Sequence, residues 1–286
     1  MRKTIIHVWT HEFLIDPDHV KKYNFYNETN FYFGLGDLLR STIQLYMLSR
    51  KMGFDFFVDL QCHPIGEFLE PVFHPFAEYV LKNRDKVHYV CYGAAEDFVR
   101  GASDASVSLI LTNDFYTANG PSEEIPEDCK TFMRRLLTPR PRFQSFIQQK
   151  LARVPTRTFC IMHYRVNDNE FLNRGQEIVY QTYLEHYLEQ RERGMQHVLV
   201  TDTLSLKRYF QDDEHFSDPQ QAPFVFDLKI CHLGLSKDRD AVRDTLFEFF
   251  LITRSAKIKT HCKIHQVSGF VKWISKLYDI PLVAFH

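Results

Sequence analysis

The sequence predicts an α/β protein built from two Rossmann-like halves. Three observations carry that prediction. Strand-like apolar runs alternate with segments of helical periodicity, the pattern of sheets covered by helices. The chain has 286 residues, more than one compact core usually holds and suited to two α/β units. Finally, a fresh strand–helix series begins at "TRTFCIMHYR" (156–165), after a helical stretch, so the halves should meet near residues 140–155. The expected domains are 1–145 and 146–286.

The elements follow in order. "TIIHVWT" (4–10) reads as a strand, and a polar segment then runs to about Thr29 before a second short strand, "NFYF" (30–33). "LLRSTIQLYMLSRKMG" (38–53) has apolar residues at helical spacing and stops at Gly53, a residue suited to a helix C-terminus. "FDFFVDL" (54–60), "KVHYVCY" (86–92) and "ASVSLILTN" (105–113) are strand-like, while Pro71 and Pro75 break the helical pattern between the first two. "TANGPSEEIPEDC" (117–129) reads as a loop, and "FQSFIQQKLARV" (143–154) as a helix. The second half alternates strictly. After strand 156–165 come helix 178–194, strand 196–202, helix "TLSLKRYFQD", strand "PFVFDL" and helix "RDAVRDTLFEFFLITRSA". Strand "KIKTHC", helix "HQVSGFVKWISKLYD" and strand "PLVAF" close the series.

Composition narrows the functions. Thirty-five Lys and Arg stand against 36 Asp and Glu, so no global basic field points to nucleic acid. No apolar stretch approaches the roughly 18 residues of a membrane span, and the apolar run near the N-terminus is too short for a signal peptide. The expectation is a soluble protein of cytoplasmic type. Six scattered cysteines without CxxC read as reduced core thiols. The fourteen histidines include no HExxH and no Cys/His ligand set, so no metal is expected.

Four short segments carry polar residues where a sheet or helix would present them to a ligand. In "FGLGDLLRS", Gly34 and Gly36 make a Gly-x-Gly turn ahead of a helix, where backbone amides can approach a phosphate or sugar. A tight turn with Asp37 as first-turn acid is the alternative. In "HYRVND", Arg165 at a strand's carboxyl end can make bidentate, charge-assisted bonds to phosphate. His163 lies two residues earlier on the same face, and Asp168 can accept from a hydroxyl or hold Arg165. A core histidine beside a surface Arg–Asp pair is the alternative, but open α/β sheets bind ligands at strand carboxyl ends. "VLVTD" ends a strand at Asp202, suited to a base or ribose contact or to a helix N-cap. "KIHQVSGF" offers Gln266, Val267 and Ser268 at a helix start, suited to a diphosphate or to simple capping.

In this order the segments resemble the fucosyltransferase superfamily of GT-B fold, which includes the protein O-, α1,6- and nodulation fucosyltransferases. "HYRVND" fits its H-x-R-x-x-D motif, and "VTDTLSL" is similar to its TDD strand end, with Thr203 at the second Asp. "AVRDTLFEFFLITRSAKIKTHCKIHQVSGF" resembles its closing block, with Glu248 near the family's Asp and Ile264–His265 replacing two serines. The resemblance implies two domains facing each other across a cleft, the first on the acceptor side and the second holding the donor. It implies sugar transfer from a nucleotide sugar, GDP-fucose foremost, to a glycan or other hydroxyl acceptor, with no metal or other cofactor. Arg165 would bind the β-phosphate, His163 would help form the donor pocket, and Gln266, Val267 and Ser268 would cradle phosphate. Asp202 and Glu248 would contact base or ribose, or hold Arg165. The acceptor would enter near Gly34–Asp37, and the general base is one of Asp168, Asp37 and His163. "GLGDLLRSTIQL" also resembles heptosyltransferases, which use another nucleotide sugar. A catalytically inactive relative that binds glycan or protein is the reading from outside enzyme chemistry.

Overall fold

Each half of the chain holds its own all-parallel sheet, and the chain divides into the units Met1–Arg140 and Pro141–His286. The structure, a computed structural model, describes residues 3–9, 34–60, 63–71, 87–90, 109–112, 124–166, 178–216, 218–231, 233, 238–262 and 267–285. The α/β class is therefore the one expected, and the division falls at residues 140/141 where the sequence reading set 145/146.

In the first unit, β1 (Thr4–Val8) is followed by α1 (Leu35–Met52), β2 (Asp55–Asp59), β3 (Val87–Val90), β4 (Leu109–Thr112) and α2 (Glu127–Leu136). The strand order is β2-β1-β4-β3. Helix α1 presents Leu38, Leu39, Ile43 and Leu45 to the core and ends at Gly53, whose φ of 69° only glycine adopts without strain. Its start lies earlier than the stretch 38–53 suggested. Gly34 is the N-cap and Gly36 sits buried inside the first turn, so the expected Gly-x-Gly loop is half helix. Beneath α1, Trp9 Nε1 donates to Thr42 Oγ1 at 2.9 Å, and His7 Nδ1 lies 2.8 Å from the same oxygen. Thr42 itself donates to the Leu38 carbonyl.

Helix α2 corrects the end of the loop read at 117–129, since Glu127–Cys129 are helical while residues 117–123 lie outside the described residues. Pro126 caps it, Glu127 and Asp128 face the positive N-terminal end of the helix dipole, and Arg134 and Arg135 the negative end. Cys129, Met133 and Leu136 form its buried stripe.

The second unit runs α3 (Pro141–Leu151), β5 (Phe159–Arg165), α4 (Tyr180–Gln190), β6 (Gln196–Thr201), α5 (Leu204–Gln211), β7 (Phe224–Val225), α6 (Arg239–Ile252), β8 (Lys257–Cys262), α7 (Gly269–Tyr278) and β9 (Leu282–Phe285). Its order is β7-β6-β5-β8-β9. The chain lays β6 and β7 on one side of β5, then crosses to lay β8 and β9 on the other. Strand β5 is buried along nearly its whole length, as a central parallel strand must be. Met162 and Tyr164 pack against Tyr183, Leu184 and Tyr187 of α4 and Leu206 and Phe210 of α5. Side-chain alternation puts His163 and Arg165 on the opposite face. The expected strand "PFVFDL" shrinks to two residues at the sheet edge. The expected strand 30–33 lies outside the described residues.

Candidate active site

The strand order of the second unit creates one place where neighbouring connections leave in opposite directions. That place is between the carboxyl ends of β5 and β8, where open parallel sheets bind their ligands. Arg165 pairs in register with Cys262, so both strands end level there.

Arg165 is 29 % exposed, and its Nη1 lies 3.2 Å from Oδ2 of Asp202, which is 9 % exposed. The other oxygen of Asp202 accepts from the Val166 backbone amide at 2.9 Å and from the Thr203 hydroxyl at 3.2 Å. One carboxylate thus grips both the guanidinium and the backbone beside it. Of the two roles open to Asp202 beside that of N-cap, the observed one is to hold Arg165. The cap of α5 is Thr203, whose side chain makes no capping bond.

His163 lies below this pair, 3 % exposed, with Nδ1 2.8 Å from the Thr260 hydroxyl of the adjacent β8. Burial, then the nearby Arg165 charge, push its pKa down to about 3, so the ring is neutral at ordinary pH. It bridges two strands beneath the strand ends.

Val267 and Ser268 precede α7 on the loop side of β8. Ser268 is the N-cap, yet its side chain makes no capping bond. Simple capping therefore does not account for its hydroxyl, which stands at the positive end of a ten-residue helix.

Glu248 is elsewhere engaged. Its Oε1 lies 2.6 Å from Lys207 Nζ, and the two side chains are 8 % and 4 % exposed. Burial raises the Glu248 pKa and the lysine charge offsets part of that rise. Lys207 had no place in the sequence reading, since a partner 41 residues away leaves no periodic signal. One turn earlier, Asp244 accepts from Arg243 and from the Lys229 amide, tying the segment after β7 to α6. In the first unit, Asp37 lies in the first turn of α1, with Oδ1 3.3 Å from Arg40. Gly34 and Gly36 precede it, as described. Asp168 and Gln266 lie outside the described residues. Among the described residues no group of three His, Cys, Asp or Glu side chains is placed to hold a metal, and no helix is long and apolar enough to cross a membrane.

This geometry belongs to a class, the two-unit α/β proteins built on parallel sheets. Among solved structures the chain is similar to NodZ α-1,6-fucosyltransferase soaked with GDP-fucose, with TM-score 0.57 and 14 % identity over 100 % of this chain and 95 % of that one. It is similar to POFUT1 in complex with GDP, at TM-score 0.59 and 10 % identity over 99 % and 98 %. A mutant of Arabidopsis thaliana FUT1 in complex with GDP follows at TM-score 0.54 and 10 % identity over 99 % and 70 %. No family model and no curated protein sequence matches the chain. The chain has the fold of these fucosyltransferases, the GT-B-like fold expected from the sequence.

Proposed function

We propose that the chain is a glycosyltransferase that moves a sugar, fucose from GDP-fucose foremost, to a hydroxyl of a glycan or other acceptor without a metal. The observation that carries this reading is the Arg165–Asp202 pair at the sheet's switch point, which supports a positioned guanidinium suited to an anionic ligand. Three of the solved structures of this fold hold GDP or GDP-fucose. In the reaction the acceptor oxygen bonds to the sugar's anomeric carbon and loses its proton to a base. The bond from that carbon to the diphosphate breaks, and the electron pair leaves with the phosphate. Arg165 neutralises the charge that develops there, and its fixed position spares reorganisation in the transition state. Ser268 and the first amides of α7 complete the diphosphate cradle, with Val267 and Gln266 leading into it. His163 is a poor base, because its ring is buried, already bonded to Thr260 and held to a pKa of about 3; a carboxylate such as Asp168 is the better proton acceptor.

Calorimetric titration of GDP tests the assignment. Arg165→Ala is expected to weaken binding at least tenfold, as the loss of one charge-assisted bidentate contact implies. Arg165→Lys should recover only part, because an ammonium cannot reproduce the planar fork. Unchanged GDP affinity in Arg165→Ala would sink the phosphate role. A thermal-shift preference for ADP or UDP sugars over GDP-fucose would move the donor to another nucleotide sugar. Failure of the wild type to bind any nucleotide diphosphate would leave a non-enzymatic binding protein.

A further inference from the structure

Helix α3 and the turn after it carry a row of cations that no described residue neutralises by an ion pair. From Lys130 to Asn167 the sequence contains no aspartate and no glutamate. In the second unit this stretch holds Arg142, Lys150, Arg153 and Arg157 ahead of Arg165. Arg165 has Asp202, whereas the other four make no ion pair among the described residues. Elsewhere in the unit Lys207, Lys229, Arg243, Lys257 and Lys259 each meet a carboxylate, while Arg191, Arg193, Arg208, Arg254, Lys272 and Lys276 do not among the described residues. What sets this stretch apart is that its cations follow one another with no acid between them.

Spacing aligns the row. Positions 142, 146, 150 and 153 follow one face of a helix, and the outer two cations stand about 16 Å apart along its axis. Arg142, Arg153 and Arg157 are exposed, and Lys150 is half-buried with its Nζ 5.5 Å from the Phe146 ring centre. The adjoining face, Phe143 and Ile147, is buried in the unit, and Phe146 within the row is half-buried against Phe247. Local energetics do not favour the arrangement. The first turn of α3 contains no acid, and Arg142 sits at the end where the helix dipole repels a cation. Residues that break a local rule without a local gain mark function.

We propose that this face docks the protein on an anionic lipid bilayer. A straight row of unpaired cations on a helix whose apolar face is already used can lie flat on a plane of headgroups without inserting. A nucleic acid fits less well. Phe146, the ring within the row, is covered by Lys150 and by Arg243 at 4.4 Å, so it offers no free face for a base to stack on. The inference is independent of the proposed sugar transfer and stands or falls without it.

Sedimentation with vesicles of phosphatidylcholine containing about one-third phosphatidylglycerol tests it, at about 0.05 M and about 0.5 M salt. The full chain should bind the anionic vesicles at low salt, not at high salt, and not bind pure phosphatidylcholine. Each neutralised cation is expected to lower the partition coefficient about fivefold, so combined Arg142→Gln, Lys150→Gln, Arg153→Gln and Arg157→Gln should lower it at least about a hundredfold. Circular dichroism checks the fold of that variant. Arg157→Glu, on an exposed turn, gives a second variant should the fourfold change unfold the unit, and should cost at least about fivefold by itself. Undiminished binding by these variants, binding to neutral vesicles, no binding by the wild type, or stronger binding to an oligonucleotide would each overturn the proposal.

Discussion

At the residue scale, burial decides what a histidine can do. His163 is held by Thr260, and the Nε2 of His197 accepts the Glu192 amide at 3.1 Å, so both rings serve as neutral hydrogen-bonding groups. Their pKa values fall from 6.5 to about 3 and about 4, because burial penalises the charged form and Arg165 or Lys259 repels it. The unfolded chain therefore binds protons that the folded chain refuses. Their stabilisation is complete above pH 6.5 and drains as pH falls towards 4 and then 3. Each ring contributes a slope of about 1.4 kcal/mol per pH unit in that window. Glu192, lowered to about 2 by bonds from Lys257 and Lys259, acts only below 4.5. Urea midpoints measured from pH 7.5 to 4.5 should fall accordingly, and less steeply in His163→Gln. An equal slope in that variant would remove His163 from the account. Arg165 was legible in the sequence because a lone guanidinium ends an apolar strand. Its bond to Asp202 was one of several open roles, and chain separation hid the Thr260 bond entirely.

Between elements, the Lys207–Glu248 pair links α5 to α6 through a contact with almost no water around it. Removing one partner strands the other charge, so Lys207→Met or Glu248→Gln should cost about 3–5 kcal/mol in denaturant unfolding. The double change Lys207→Met with Glu248→Leu should regain most of that, since apolar packing often replaces a buried pair without loss. A double variant as unstable as the singles would contradict this account. Elements differ in how far they could be read. Helix α1 declared itself through apolar periodicity and Gly53. Helix α2 was missed although Pro126, its early acids and its late arginines spell out both ends, because the preceding Pro- and Gly-rich run dominated the reading. Strand β7 was overestimated, since an aromatic-rich run such as "PFVFDL" looks the same in or beside a sheet edge.

For the whole molecule, strict strand–helix alternation was enough to foresee two parallel sheets, but not their strand order, which depends on pairings between distant segments. That order gives the second unit its own sheet and its own core. Residues 141–286 expressed alone should therefore melt cooperatively, and GDP should raise their melting temperature. A fragment that unfolds without the first unit would refute this independence. The central place of β5 also has a consequence for biosynthesis. Its histidine meets a partner 97 residues later, in a strand that ends at Cys262. As the chain leaves the ribosome, β5 waits with one edge bare until synthesis has passed β8. The Arg165 end of that strand thus matures only after β8, and a premature stop that removes β8 and beyond would leave every residue of "HYRVND" in the sequence yet His163 without Thr260 and Arg165 without a neighbouring strand.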